Sequence, residues 1–477
     1  MENASSGVQL EMNFNIPSGN RFRRCLENGV FTVLFEVTPP GRELSDSEAA
    51  KRVEKIEKQL LECREMPCAL AVTDHYSSDN SRSAVEYAAL LPEKNRNSHL
   101  FYLSGRHKTP EDVFGSLAKA ANLHLENLVA VSGDRRNNEN IRDLRKIDFT
   151  ESTAILRSME QCTGNKFFPG ASVNPHSYAA PTLYSGLCKL VKKFNLGAEF
   201  AVTQAGFDMA QLDALRRYLS WRGYNQCLIA RLMLLTPEKV EKITAGMLPG
   251  ITISDDFLAI LHKELRFSSG QFEAAQYRRL ELQAVGCKLL GYSGIQIYGA
   301  DTPEKITIVM QRIARALREF TTLPQWLEEY KFYMARSDMA PSDGLFYLYE
   351  ELLKKTLLSD PPGALTEFKL PQLSWLRRQQ ENACRFFFPD AGEQDPSERR
   401  WLKKLLTGCR ECEQCRLPQT QFYCVERCPK KLTNGPCGAV KDDGCCDAGN
   451  FACVHLQIWH AAQRRNQCDR LENDFIE

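Results

Sequence analysis

The chain has 477 residues, 43% of them apolar and 25% charged, and its 61 Lys and Arg balance 60 Asp and Glu to a formal charge of +1. That length suits two or three domains, and the balanced charge excludes a polybasic nucleic-acid binder or an acidic tail protein as a description of the whole chain. Mean hydropathy is −0.38, no apolar run reaches the roughly 18–20 residues of a spanning helix, and the start, MENASSGVQLEMNFN, lacks the basic and apolar regions of a secretory signal. The expectations are no membrane span, no nucleic acid, and a cytoplasmic location.

Residues 1–26 are polar and rich in Asn and Ser, and predict a loose N-terminal arm. From 27 to 322, apolar strand-like runs alternate with helix-length amphipathic stretches. The runs are Phe31–Val37, Cys68–Thr73, His99–Leu103, Asn127–Val131, Phe168–Val173, Phe200–Thr203, Cys227–Leu232 and Gly294–Tyr298. Helix starts separate them. Ser45 to Glu48 forms a capping-box pattern. Thr109-Pro110-Glu111, Thr236-Pro237-Glu238 and Thr302-Pro303-Glu304 each supply a capping hydroxyl, a proline at the first helical position and an acid in the first turn. Eight strands alternating with helices predict an α/β fold, a (β/α)8 barrel; no G-x-G-x-x-G favours a doubly wound sheet instead. The segment 253–292 is long and mostly helical and predicts an insertion or an extra helix pair. An aromatic-rich connector follows over 323–404, broken at Asp360-Pro361-Pro362-Gly363, and then a small cysteine-rich domain over 405–477.

Ten of the 18 cysteines fall between Cys409 and Cys468. In a cytosolic chain such density points to metal rather than disulfides. The candidate ligands are Cys409, Cys412, Cys415, Cys424, Cys428, Cys437, Cys445, Cys446 and Cys453. C-x2-C-x2-C with a distant Cys428-Pro429 suits a [4Fe-4S] cluster; paired C-x2-C units suit Zn2+. Both stay open. His455 and His460 fit the face of a terminal helix better than ligation.

Barrel chemistry belongs at the carboxyl ends of the strands. Those ends carry Glu36, Thr73-Asp74-His75, Ser104, Ser132-Gly133-Asp134, Asn174-Pro175-His176, Thr203-Gln204, and Gln296 with Tyr298. Glu36 interrupts an apolar run, which is costly for a carboxylate without a partner or a task; in an apolar pocket its pKa would rise, as a general acid needs. Asp134 also suits a turn or helix cap, Gln204 a core amide, and Lys192 and Lys193 a solvated helix face.

F-E-V-T-P-P at Glu36, V-S-G-D at Asp134, V-N-P-H at His176, the run from Lys193 to Thr203-Gln204, and L-P-G-I at Leu248–Ile251 occur in this order. Over about residues 27–320 the chain resembles the methylenetetrahydrofolate reductase family. C-P-K-x-L-x-N-G-P-C-G from Cys428 to Gly438 resembles the cysteine-rich partner of acetogen-type members, here fused to the barrel.

The resemblance implies a flavin, FAD with FMN as the alternative, and interconversion of 5,10-methylenetetrahydrofolate and 5-methyltetrahydrofolate. It implies Glu36 as general acid at folate N10, Asp134 beside the flavin pyrimidine and the pterin, and Gln204 touching folate or flavin. Thr73, Ser104, Ser132, Gly133, Asp134, His176 and Lys193 fall on the flavin side, and Glu36, Gln204 and Tyr298 on the folate side. Electrons would come from ferredoxin or NAD(P)H, through the metal domain in the first case. An electron-transfer or methyltransferase partner and a homo-oligomer are further expectations. The competing readings are a non-catalytic one-carbon docking protein with structural zinc, and another barrel flavoenzyme resembling proline dehydrogenase.

Overall fold

Apolar runs bounded by capped helices settle into parallel strands because both faces of each strand find cover, the barrel interior on one side and the helix ring on the other. The computed structural model describes residues 19–74, 80–136, 139–162, 167–177, 179–334, 375–388, 400–410, 412, 415–441 and 443–476. The strands are β1 (Thr32–Val37), β2 (Cys68–Val72), β3 (Leu100–Ser104), β4 (Asn127–Val131), β5 (Phe168–Val173), β6 (Phe200–Thr203), β7 (Cys227–Met233) and β8 (Gly294–Tyr298). Each pairs in parallel with the next, and β8 closes on β1 with Leu34 opposite Gln296. This is the (β/α)8 barrel expected, with strand ends displaced by at most one residue. The caps form as expected: Ser45 and Thr109 in full capping boxes, Thr236 and Thr302 accepting from backbone N–H groups. The helix pair after β7 is Asp255–Phe267 and Ser269–Leu289.

Side chains alternate along a strand, and this sorts the barrel interior into layers. Leu34, Leu100, Val129, Phe168, Phe200, Val202 and Ile229 form the inner apolar cluster, joined from below by Phe22 and Leu26. Those two lie on the helix Arg21–Glu27, so the end of the expected arm is a plug; residues 1–18 of the arm lie outside the described residues. Two residues further along β1, β3, β6 and β7 are Glu36, Tyr102, Gln204 and Arg231, which form a polar layer at the carboxyl end together with Gln296 of β8.

Packing continues past residue 322. The helix Leu323–Tyr333 lies on Ser269–Leu289; Trp326 donates to the Leu282 carbonyl at 2.7 Å, and Tyr330 to that of Phe207 at 2.9 Å. The Asp360-Pro361-Pro362-Gly363 breaker lies outside the described residues.

The cysteine-rich segment sits on the helix Ala180–Asn195. Trp459, on the helix Val454–Arg464, stacks on Tyr184 with ring centroids 5.8 Å apart. Arg222 holds Glu472 through two bonds of 2.7 Å. Asn434 is 3% exposed. It donates to Glu151 at 2.6 Å, accepts from Lys192 at 3.0 Å, and exchanges two bonds of 2.8 Å with the Ile476 backbone. No helix among the described residues is long and apolar enough to cross a membrane.

Candidate active site

The polar layer forms the floor of a cavity of about 830 Å³, within the usual range for cofactor and substrate sites. Glu36, Asp134, Gln204, Thr73, Ser104, Ser132, Gly133, Lys193 and Tyr298, all singled out from the sequence, line it. His176 does not: its ring is buried against Gly206, where a β-carbon would lie 2.2 Å from it. Burial lowers the His176 pKa to about 4. His75 lies outside the described residues.

Glu36 departs from the expectation of an unpaired acid in an apolar pocket. Arg231 donates to both of its oxygens, Nη2 to Oε1 at 2.6 Å and Nε to Oε2 at 2.7 Å, and Gln296 donates to Oε2 at 2.8 Å. Tyr102 donates to Gln296 at 2.7 Å, and Arg231 to Gln204 at 2.7 Å. Gln204 also donates to the Pro249 carbonyl at 3.2 Å, tying the floor to the L-P-G-I loop.

Arg231 was missed in the sequence, although it interrupts the run CLIARLM as Glu36 interrupts FTVLFEV. The same cost of a buried charge marks both residues, and each is the other's partner.

On the β4 side, the Ser132 hydroxyl accepts from the Ser152 backbone at 3.0 Å and so serves a helix start. Gly133 has φ +88°, and a β-carbon there would meet Arg106 at 2.6 Å, so the turn requires glycine. Asp134 is exposed at the cavity mouth. Asp74, beside Thr73, accepts from the Ser104 and Ala84 backbones and from Lys108, and thereby joins the β2 and β3 ends.

The lysines of the helix Ala180–Asn195 correct the expectation of a solvated face. Lys189, Lys192 and Lys193 are between 2% and 5% exposed: the C-terminal segment meets Lys189 and Lys192 at Gly435 and Asn434, and Lys193 turns onto Ser172 of β5. Lys193 donates to the Ser172 carbonyl at 2.6 Å; burial, then the neighbouring Lys189, lowers its pKa to about 7. Lys189 donates to the Gly435 carbonyl at 2.9 Å.

The cysteine-rich segment also supplies cavity wall through Pro436, Cys437, Gly438, Ala439 and Val440. Asn174 donates to the Gly438 carbonyl at 3.1 Å, and Lys430 to that of Gly133 at 3.0 Å. Proximity sorts the thiols into two neighbourhoods, Cys409, Cys412, Cys415 and Cys424 in one and Cys428, Cys437, Cys446 and Cys453 in the other. Cys445 belongs to neither and bridges to Ala452. Among the described residues, no three His, Cys, Asp or Glu side chains converge closely enough to hold a metal ion. Each neighbourhood has the thiol number of a four-cysteine site, but not its closed geometry.

A closed parallel barrel with acids, amides and lysines gathered around a cavity at its strand ends has the architecture of a barrel enzyme. The methylenetetrahydrofolate reductase family matches residues 21–266, and the family described as methylene-tetrahydrofolate reductase C terminal matches residues 393–477. The chain belongs to the methylenetetrahydrofolate reductase family, fused to that C-terminal domain.

Solved structures similar to it include an uncharacterised protein from Clostridium thermocellum described as binding two copies of 5-methyl-5,6,7,8-tetrahydrofolic acid, at 11% identity and TM-score 0.44, over 62% of this chain and 99% of that one. A thiamine phosphate pyrophosphorylase from Pyrococcus furiosus is similar at 12% identity and TM-score 0.31, over 62% and 98%. A 2,3-dimethylmalate lyase of the PEP mutase/isocitrate lyase superfamily is similar at 13% and 0.34, over 65% and 92%. No curated protein matches the chain.

Proposed function

We propose that the chain catalyses the flavin-dependent interconversion of 5,10-methylenetetrahydrofolate and 5-methyltetrahydrofolate. The observation that carries this reading is the placement of Glu36, Gln204 and Asp134 around one strand-end cavity in a chain of the reductase family. The cavity suits a flavin, FAD or FMN: it has the volume, and the buried Lys193 in its lining offers an ammonium to a phosphate. When bound, the flavin exchanges a hydride with the one-carbon unit of the folate.

The protein's own residues handle the rest. Glu36 exchanges a proton with N10 of the folate as the five-membered ring opens or closes. Gln204, held by Arg231 and the Pro249 carbonyl, offers an oriented amide to the pterin. Asp134 places negative charge at the mouth, and Tyr298 adds an aromatic wall. The C-terminal domain completes the enclosure through Pro436–Val440 and excludes water from that side.

The thiol neighbourhoods have the composition, though not the closed geometry, of zinc or iron–sulfur sites. We assign them the metal-binding role, and ferredoxin the role of donor where the metal is iron–sulfur.

The test is the visible spectrum of protein purified without oxygen, followed by addition of 5-methyltetrahydrofolate. Flavin bands that bleach on addition are the expected result. A colourless protein that does not take up FAD or FMN would overturn the reading, as would a bound flavin that exchanges no electrons with either folate.

A further inference from the structure

Glu36 accepts from two side chains. Oε1 accepts from Arg231 Nη2, and Oε2 accepts from both Arg231 Nε and Gln296 Nε2. The Gln296 amide is oriented by Tyr102, whose hydroxyl donates to its oxygen. Both side chains bonded to Glu36, Arg231 and Gln296, thus point donors at it, and Tyr102 acts one step removed by orienting Gln296. These three donors occupy three of a carboxylate's roughly four lone-pair sites, so protonation weakens the charge-assisted fork that a guanidinium makes with a carboxylate. The titratable groups facing Glu36 are Arg231 on β7, Tyr102 on β3, Tyr298 on β8 and Lys239 on the helix Pro237–Thr244, whose ammonium lies 4.5 Å from the Tyr298 ring centre. Two of the four are cations.

We propose that Arg231 is a positioning residue that keeps Glu36 ionised, so that the cavity presents a proton acceptor and is arranged for oxidation of 5-methyltetrahydrofolate. This inference rests on the proposed function. In the oxidative step, the methyl carbon gives up a hydride, two electrons and a proton together, to the oxidised flavin. N10 then forms its bond to that carbon and loses its proton to Glu36. The products are 5,10-methylenetetrahydrofolate, the reduced flavin and a protonated Glu36, so atoms and electrons balance. In the reducing direction Glu36 must first take up a proton, which requires the fork to Arg231 to open. The Gln204 oxygen, already 2.7 Å from Arg231 Nη1, gives the guanidinium a second partner.

The experiment is an infrared titration of the flavin-free protein, with the Glu36 carboxylate band assigned by its loss in Glu36→Gln. Arg231→Met is expected to raise the pH at which the band disappears by on the order of one to three units, the usual effect of removing an adjacent opposite charge. Arg231→Lys, which keeps the charge but not the fork, should give a smaller shift and guards against a Met variant that does not fold. In the flavin-loaded protein, the acid limb of the rate of 5-methyltetrahydrofolate oxidation should move up by the same interval. A band and limb at the same pH in wild type, Arg231→Met and Arg231→Lys would overturn the proposal. If methyl-folate never bleaches the wild-type flavin, the proposed function fails, while the infrared titration still decides whether Arg231 sets the charge of Glu36.

Discussion

A carboxylate and a guanidinium that each interrupt an apolar strand make chemistry at Glu36 depend on Arg231, with Gln296 as its second hydrogen-bond partner. Glu36→Gln keeps the shape and the accepting oxygen but cannot exchange a proton with N10. Flavin reduction by an artificial donor should survive, while exchange with folate falls by on the order of 10²–10⁴-fold. Stopped-flow measurement of the two half-reactions checks this, and equal loss in both would make the residue structural. Glu36 was legible in the sequence because its burial cost is visible in one strand. Its pairing was not, because Arg231 comes from β7, 195 positions away, and pairing across a barrel leaves no local pattern.

Lys193 makes a second residue-scale prediction. Its pKa of about 7 means that an anionic flavin phosphate must hold the ammonium in its charged form. Binding then takes up a proton, and affinity for FMN should weaken as pH rises through about 7. Lys193→Met should bind more weakly and lose that pH dependence. Fluorescence titration of FMN at several pH values reads both effects.

At the scale of elements, the strands were legible because parallel strands buried on both faces read as continuous apolar runs, and the helix starts because hydroxyl caps and prolines act locally. The lysine face of Ala180–Asn195 was not legible, since a segment more than 200 residues downstream covers it, and periodicity marks a polar face without saying what lies over it.

That cover is anchored by Asn434 on Glu151. Burial raises the Glu151 pKa, but Lys189 and the Asn434 hydrogen bonds outweigh it and hold the carboxyl below its ordinary value. Asn434→Ala should leave a buried carboxylate short of donors, at a cost of about 2–4 kcal/mol, and should free the loop that walls the cavity. Limited proteolysis would report this as earlier cleavage in 430–440 while the barrel stays intact.

His455, on the helix Val454–Arg464 that lies against this junction, adds a pH dependence. Burial, then Lys189, lowers its pKa to about 3, so the unfolded chain binds its proton first. Its contribution to stability is whole above about 6.5 and is lost as pH falls toward 3. Glu151, with its lowered folded pKa, adds loss in the same direction below about 4.5. Docking of the C-terminal domain should therefore weaken on acidification, and His455→Gln should flatten the upper part of that curve.

For the molecule as a whole, the two thiol neighbourhoods stand in different relations to the cavity. Cys437 of the second neighbourhood lines the cavity itself and no thiol of the first does, whereas Cys409 and Cys428, one from each neighbourhood, line a separate outer hollow with Arg145, Lys404, Arg410, Glu426 and Lys431. The spacing of Cys409, Cys412 and Cys415 suits an iron–sulfur cluster, but spacing does not say which end of the domain faces the barrel. Replacing Cys409, Cys412, Cys415 and Cys424 by Ser should remove any metal these thiols bind and leave the flavin spectrum unchanged, because none of the four lines the cavity. Replacing Cys428, Cys437, Cys446 and Cys453 should remove metal and also disturb the flavin, because the loop carrying Cys437 is cavity wall. If the metal is iron–sulfur, the outer replacement should slow reduction by ferredoxin and spare reduction by dithionite. If it is zinc, both replacements should loosen the domain without changing how the flavin is reduced. Metal analysis beside the spectra and reduction rates of the two variants separates these outcomes, and an unaltered metal content in both would remove the metal role from all eight thiols.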